Sequence, residues 1–193
     1  MKRFNIHNKK GLFLALGFLL IFLNGYSQEK KISEKQLTRQ EKKEARKAEL
    51  QANFAILDSL LKRRTFVLQA DYLEDKYGDQ VPVPSMINFI MVNENNGVLQ
   101  TGNNQVLGYN GVGGVTAEGT LSKWEVSKNF KSLSFTIRFD IQTELGMYDV
   151  LMTVDADNHA RATITGMWPG KLIYNGHINT LNRSGVFKGQ KTV

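Results

Sequence analysis

Leu133-Ser-Phe-Thr-Ile-Arg-Phe-Asp-Ile141 alternates apolar and polar side chains without exception. A period of two sustained over such a stretch marks a strand with one buried face. The same pattern recurs downstream. Glu144-Leu-Gly146 turns the chain into Tyr148, Val150, Met152 and Val154, and Asp157-Asn158 turns it into Ala160, Ala162 and Ile164. Trp168-Pro-Gly170 then leads to Leu172, Tyr174, Gly176 and Ile178. Strands of this length joined by short turns form an antiparallel meander.

Upstream, Phe66, Leu68, Ala70 and Tyr72 alternate with Val67, Gln69 and Asp71. Glu74 to Pro84 reads as a loop, because Gly78-Asp79 and Pro82-Val-Pro84 disfavour regular pairing. Met86-Ile-Asn-Phe-Ile-Met-Val92 is apolar on both faces save Asn88, as in a strand covered on both sides. Asn95-Asn-Gly97 marks a hairpin turn into Val98-Leu-Gln100, and Thr101 to Asn110 is loop-like. Val115, Ala117, Gly119 and Leu121 occupy one parity, whereas Trp124 and Val126 occupy the other. That switch predicts a bulge near Ser122-Lys123. The expected fold class is mainly β: an antiparallel meander of seven or eight strands, barrel-like or half-barrel, with an N-terminal α-helix.

The chain of 193 residues begins with Lys2, Arg3, Lys9 and Lys10, no acid, and the run Leu12-Phe-Leu-Ala-Leu-Gly-Phe-Leu-Leu-Ile-Phe-Leu23. A basic head, a short apolar run and small residues at Gly25 and Ser27 have the layout of a secretory signal. The run is shorter than the roughly 20 residues of a membrane span. Cleavage is expected after Ser27 or Gln28, leaving no stable membrane span and a periplasmic or secreted protein. The expected layout is a signal peptide at 1–27, a charged helix at 28–64, a β domain at 65–180 and a tail at 181–193. Without cysteine the chain forms no disulfide and carries no lipoprotein anchor.

From Ile32 to Arg64 there is neither Gly nor Pro, and charges alternate in sign. An apolar stripe of Leu50, Phe54, Leu57 and Leu61, with Ile56 and Leu60 alongside, is expected to dock on the protein's own sheet and to cover the second face of Met86–Val92, the alternative being a partner protein or a coiled-coil seam. Lys62-Arg63-Arg64 suits the carbonyl end of the helix dipole. The net charge of +7 resides in the signal and this helix, since residues 65–193 hold 10 basic and 12 acidic side chains. No nucleic-acid partner is expected of such a domain.

Gly108-Tyr-Asn-Gly-Val-Gly-Gly-Val-Thr-Ala-Glu-Gly119 holds five of the 17 glycines. Such clustering at a strand entry marks bends only glycine tolerates or a close approach to backbone. It is no phosphate cradle: it lacks a third fingerprint glycine and a following Lys-Ser or Lys-Thr, and it opens a strand. Ala70, Ala117, Gly119, Ala160, Ala162 and Gly176 form a row of small inward residues, which fit the taper of a barrel or leave a ligand cavity. The candidate ligand-binding residues are Tyr109, Gly111, Gly113, Gly114, Gly119, Trp124 and Tyr174. No catalytic or metal-binding residues and no cofactor are assigned. His159 and His177 have no carboxylate locally placed to orient them, and Asp155-Ala-Asp-Asn-His159 lacks the final Glu of a calcium loop, reading instead as a hairpin turn.

Phe66-Val-Leu-Gln-Ala-Asp-Tyr72, Gly111 to Gly119, Met147 to Val154, Ala160-Arg-Ala-Thr-Ile164 and Ile173-Tyr-Asn-Gly176 together resemble a family of small secreted Gram-negative bacterial proteins known only as a domain of unknown function. The resemblance implies a cell-envelope address and carries no catalytic residue. The expected role is a non-enzymatic binding or interaction domain for a small apolar ligand or an envelope partner. The alternative is an envelope carbohydrate- or peptide-acting hydrolase with carboxylates assembled by the fold.

Overall fold

The computed structural model describes residues 38–103, 111–166 and 170–192. Residues 38–63 are helical (α1), and nine strands follow: β1 Thr65–Glu74, β2 Gln80–Pro82, β3 Phe89–Asn93, β4 Asn96–Thr101, β5 Val115–Asn129, β6 Ser134–Thr143, β7 Gly146–Asp155, β8 His159–Thr165 and β9 Lys171–Asn179. All pairings are antiparallel, and β9 returns to β1 from Val67↔Asn179 to Glu74↔Ile173. Eight strands thus close a barrel, while β2 adds to β1 only at Tyr72–Glu74. Closure leaves each of the eight with partners on both sides, which is how a meander of this kind disposes of its edges.

The chain divides into two compact units at Ala48/Glu49. In the first, the described residues 38–48 are helical and exposed. The second holds the rest of α1 and the barrel. Here α1 buries Leu57, Leu60 and Leu61 in the barrel core, with Phe54 stacked on Phe135 at 4.4 Å. Ile56 stays out of this contact and is exposed. Arg64, at φ 52, ends the helix and turns the chain directly into β1, its guanidinium 5.2 Å from the centre of the Trp124 ring. Asp58 reaches Lys62 at 2.9 Å and Lys128 on β5 at 2.5 Å, latching the helix to the wall. Both lysines hold its carboxyl below the usual range, Lys128 most strongly.

Inward positions alternate as the sequence predicts on β6 to β9, where Phe135, Ile137, Phe139, Val150, Met152 and Tyr174 are buried. The bulge expected near Ser122-Lys123 is present: the β5–β6 register shifts between Ser122 and Glu125, with Lys123 at φ 50. The shift lays Lys123 over the buried Asp140 at 2.8 Å.

Four local readings are corrected. The stretch from Glu74 to Pro84 is not all loop, because Gln80–Pro82 pairs with β1. The hairpin turn lies at Glu94-Asn95, with Glu94 at φ 56, so Asn96 and Gly97 belong to β4. The strand expected from Met86 starts at Phe89, after a turn in which Asn88 donates to the carbonyls of Pro84 and Gly102, each at 3.0 Å. Tyr72 does not continue the inward row: a bulge between Ala70 and Tyr72 turns it out, 48% exposed.

The helix does not cover the second face of β3 either. Phe89 joins Val67 and Val98 in an outer cluster against Leu181 and Val186. Residues 181–192 of the segment named above as a tail run over this outer face as the short helix α2 Leu181–Ser184 and an extended strap. Buried Gln100 ties the strap down. Its amide donates to the Ile87 and Phe187 carbonyls (3.1 and 2.9 Å), and its oxygen accepts from Thr116 Oγ1 and Gly189 N (3.0 and 2.8 Å).

Candidate functional site

With α1 packed over one end of the barrel, the described residues at the opposite end line a cleft of about 360 Å³. Its apolar walls come from the ends of the strands: Leu99 on β4, Val115 on β5, Tyr148 on β7, Ile164 on β8 and Leu172 on β9. Thr101, Gly166 and Gly170 complete the mouth, and Asp75, Lys76, Tyr77 and Lys171 stand at its rim. These residues converge because every inward row must end somewhere, and a barrel of eight strands is just wide enough to hold side chains or one small ligand.

The rim is shaped by the β1–β2 turn. Asp75 Oδ1 accepts from the backbone N–H groups of Tyr77 (2.8 Å) and Asp79 (3.0 Å), and Gly78 supplies φ 96. The turn holds Tyr77 out, 79% exposed, with Lys76 Nζ 4.9 Å from its ring centre. In the barrel, Tyr148 and Tyr174 are both fully buried, and burial pushes both phenols up. Tyr174 donates to the Gln100 carbonyl at 3.0 Å.

Of the residues singled out in the sequence, none of the described ones is among those that line this cleft. Tyr109 lies outside the described residues. Gly111 (φ 74) and Gly113 (φ 71) take left-handed backbone at the entry to β5. Gly114 sits against the adjoining strand, where a Cβ would stand 2.3 Å from the Thr101 carbonyl oxygen. Gly119 lies further along β5, and its Cβ would fall 1.8 Å from the Gln142 oxygen. Trp124 belongs to the helix-covered end, 5.1 Å from Phe139 between ring centres and under Arg64. Tyr174 is core. Sequence reading missed Lys76, Tyr77 and Lys171, whose only signal was their place beside Gly78 and Gly170 at strand ends.

A second concavity, also about 360 Å³, lies outside the barrel over β7, β8, β9 and β1. There Arg161 donates twice to Glu74, at 2.7 and 2.8 Å, and once to Asn175 Oδ1 at 2.8 Å. Glu74 is consequently pulled down to about 2, first by Arg161 and then by the Gln80 amide. Asp71 Oδ2 stands 3.2 Å from His177 Nδ1, so a carboxylate 106 positions away supplies the partner that local reading did not find. Asp155 to His159 forms a tight turn, in which Asn158 N donates to Asp155 O at 2.9 Å. Among the described residues no cluster of His, Cys, Asp or Glu is arranged to hold a metal ion, and no described helix is long and apolar enough to cross a membrane.

A search of curated proteins finds no match to this chain. The family model of the domain of unknown function DUF4251 matches residues 48–178. The crystal structure of a DUF4251 family protein from Bacteroides eggerthii DSM 20697 is similar at 30% identity and a TM-score of 0.57, over 68% of this chain and 90% of that one. The matched region contains the buried half of α1 and the eight barrel strands, and on that ground the chain belongs to the DUF4251 family.

Proposed function

We propose that this chain is an exported, non-enzymatic binding domain of the cell envelope that holds a small apolar ligand in the mouth of its barrel. The observation carrying this reading is the cleft itself: an apolar floor of Leu99, Ile164 and Leu172, rimmed by Lys76, Lys171 and Tyr77. Its volume of about 360 Å³ falls within the range of ligand pockets. Gly111, Gly113 and Gly114 serve it indirectly, by setting the entry of Val115 into the wall. Export rests on the signal-like layout of residues 1–27.

A glycoside hydrolase of the common type needs one carboxyl as acid and another as base or nucleophile. Glu74 and Asp140, the carboxylates buried among the described residues, are each paired with a cation, so neither stands as a free buried acid.

Native mass spectrometry and organic extraction of the mature protein, purified from its own cell envelope, test the reading. The expected result is an apolar compound bound at one per chain and absent from a Leu172→Lys variant that melts normally. A wild-type protein with no bound compound and no thermal shift with fatty acids of 8 to 18 carbons would sink it.

A further inference from the structure

The outer concavity differs from the mouth in composition, and two cross-strand rows build it. In the first row Thr153 pairs with Arg161, Arg161 with Asn175 and Asn175 with Tyr72. In the second His159 pairs with His177. Asp155 and Asp71 also line the groove.

The bulge in β1 is the informative irregularity. Strict alternation from Phe66, Leu68 and Ala70 would send Tyr72 into the core. The extra residue, Asp71, sends the Tyr72 ring to solvent and places its own carboxylate against His177. Bulges re-aim side chains in this way beside functional sites. Burying the ring would have been the more stabilising choice, since an aromatic side chain carries a large apolar area.

Next to the exposed ring lie planar polar groups in fixed orientations. Arg161 is gripped by Glu74 through both terminal guanidinium nitrogens, and Asn175 Nδ2 also donates to Glu74 at 3.2 Å. A ligand that fits such a surface has one flat C–H face for the ring and hydroxyls that both donate and accept for the guanidinium, amide, imidazole and carboxylates. Glu74 cancels Arg161, so Asp71 and Asp155 leave the groove acidic, which opposes a polyanion. A purely apolar ligand would find a single ring. From these observations we infer that the outer face of β7, β8, β9 and β1 binds a neutral oligosaccharide, with a sugar ring stacked on Tyr72 and its hydroxyls bonded along the Arg161–Asn175 row. Four strands about 4.8 Å apart give a track of about 14 Å, longer than one sugar ring. The inference is independent of the ligand at the mouth.

The test titrates the ¹⁵N-labelled mature chain with neutral tetrasaccharides of β-glucan, α-glucan, mannan and N-acetylglucosamine, with oligogalacturonate as the anionic control. At least one neutral probe is expected to shift the amides of Tyr72, Arg161 and Asn175. Tyr72→Ala should weaken that binding about tenfold or more, Tyr72→Phe should preserve it, and Tyr77→Ala at the mouth should leave it unchanged. If Tyr72→Ala lowers the melting temperature, Tyr72→Thr replaces it, because threonine suits an exposed strand position. The inference is overturned if no neutral probe shifts these amides at about 10 mM, where even millimolar affinity would show. It is equally overturned if only oligogalacturonate binds, or if affinity is the same with and without the Tyr72 ring.

Discussion

The two ends of the barrel are made of the same strands and are finished in opposite ways. At one end Leu57, Leu60 and Leu61 of α1 complete the core, Phe54 stacks on Phe135, and Asp58 bonds the helix to Lys128. At the other end no helix packs among the described residues, and Leu172 and Leu99 line a cleft with Tyr77 at its rim. One end buries its apolar residues under the helix, whereas the other leaves some of them lining a cleft. The difference comes from where the chain enters: α1 turns into β1 at Arg64 with no loop between them, so the helix can fold back over only that end.

The largest expected effect measures this contrast directly. Leu61 is 1% exposed, and Leu61→Ala should lower unfolding stability by about 2–5 kcal/mol, read by urea titration. Leu172→Ala, at the half-buried mouth, should cost about 1 kcal/mol. Equal losses would mean that the mouth is packed in solution, and the contrast between the ends would collapse.

An intermediate effect comes from the wall joining the ends. Two of the small inward residues are small because backbone crowds them. A Cβ on Gly176 would stand 1.8 Å from the Gln69 oxygen, and one on Gly119 equally close to the Gln142 oxygen. These are neighbouring-strand carbonyls that cannot swing aside. Gly176→Ala and Gly119→Ala should each cost roughly 1–3 kcal/mol, as a drop in melting temperature. A melting curve indistinguishable from wild type would instead assign these positions to ligand space. On this geometry the row of small residues shapes the wall, and the cleft lies at its end.

What the sequence disclosed and what it withheld divide along the range of the interactions. Alternation is local, so β6 to β9, the Ser122-Lys123 bulge and the helix stripe were all legible from side-chain period. The turn signal at Asn95-Asn-Gly97 was real but misplaced. Gly97 is needed within β4, where the Leu121 and Ile141 side chains would lie 3.0 and 3.1 Å from its Cβ, and Glu94 takes the positive φ instead. The outward turn of Tyr72 comes from a register shift in the pairing of β1 with β9, so no pattern within β1 could announce it. The cover over Phe89 comes from residues almost a hundred positions later, and the Asp71–His177 pair spans 106. The candidate site suffers most, because its rim comes from turns, whose sequences specify conformation without specifying what they face.

The smallest effects belong to the carboxylates that fasten each end. Asp58 at the helix and Glu74 beside the mouth both have lowered pKa values in the folded chain, so each contributes stability above its unfolded pKa and loses it as pH falls through the folded one. Asp58→Asn should cost about 0.5–1 kcal/mol at pH 7, because its pairs are partly solvated. That gap to wild type should narrow as pH drops below 3.8, the ordinary value for this carboxyl. Glu74→Gln should behave differently in range. Its gap should begin to close below the ordinary 4.5 and persist until about pH 2, since two hydrogen bonds from Arg161 oppose protonation. Melting of both variants against wild type from pH 7 to pH 2 at constant salt separates the two latches. A Glu74→Gln gap already closed at pH 4 would mean that Arg161 does not grip Glu74 in solution, and the row of oriented groups beside Tyr72 would lose its support.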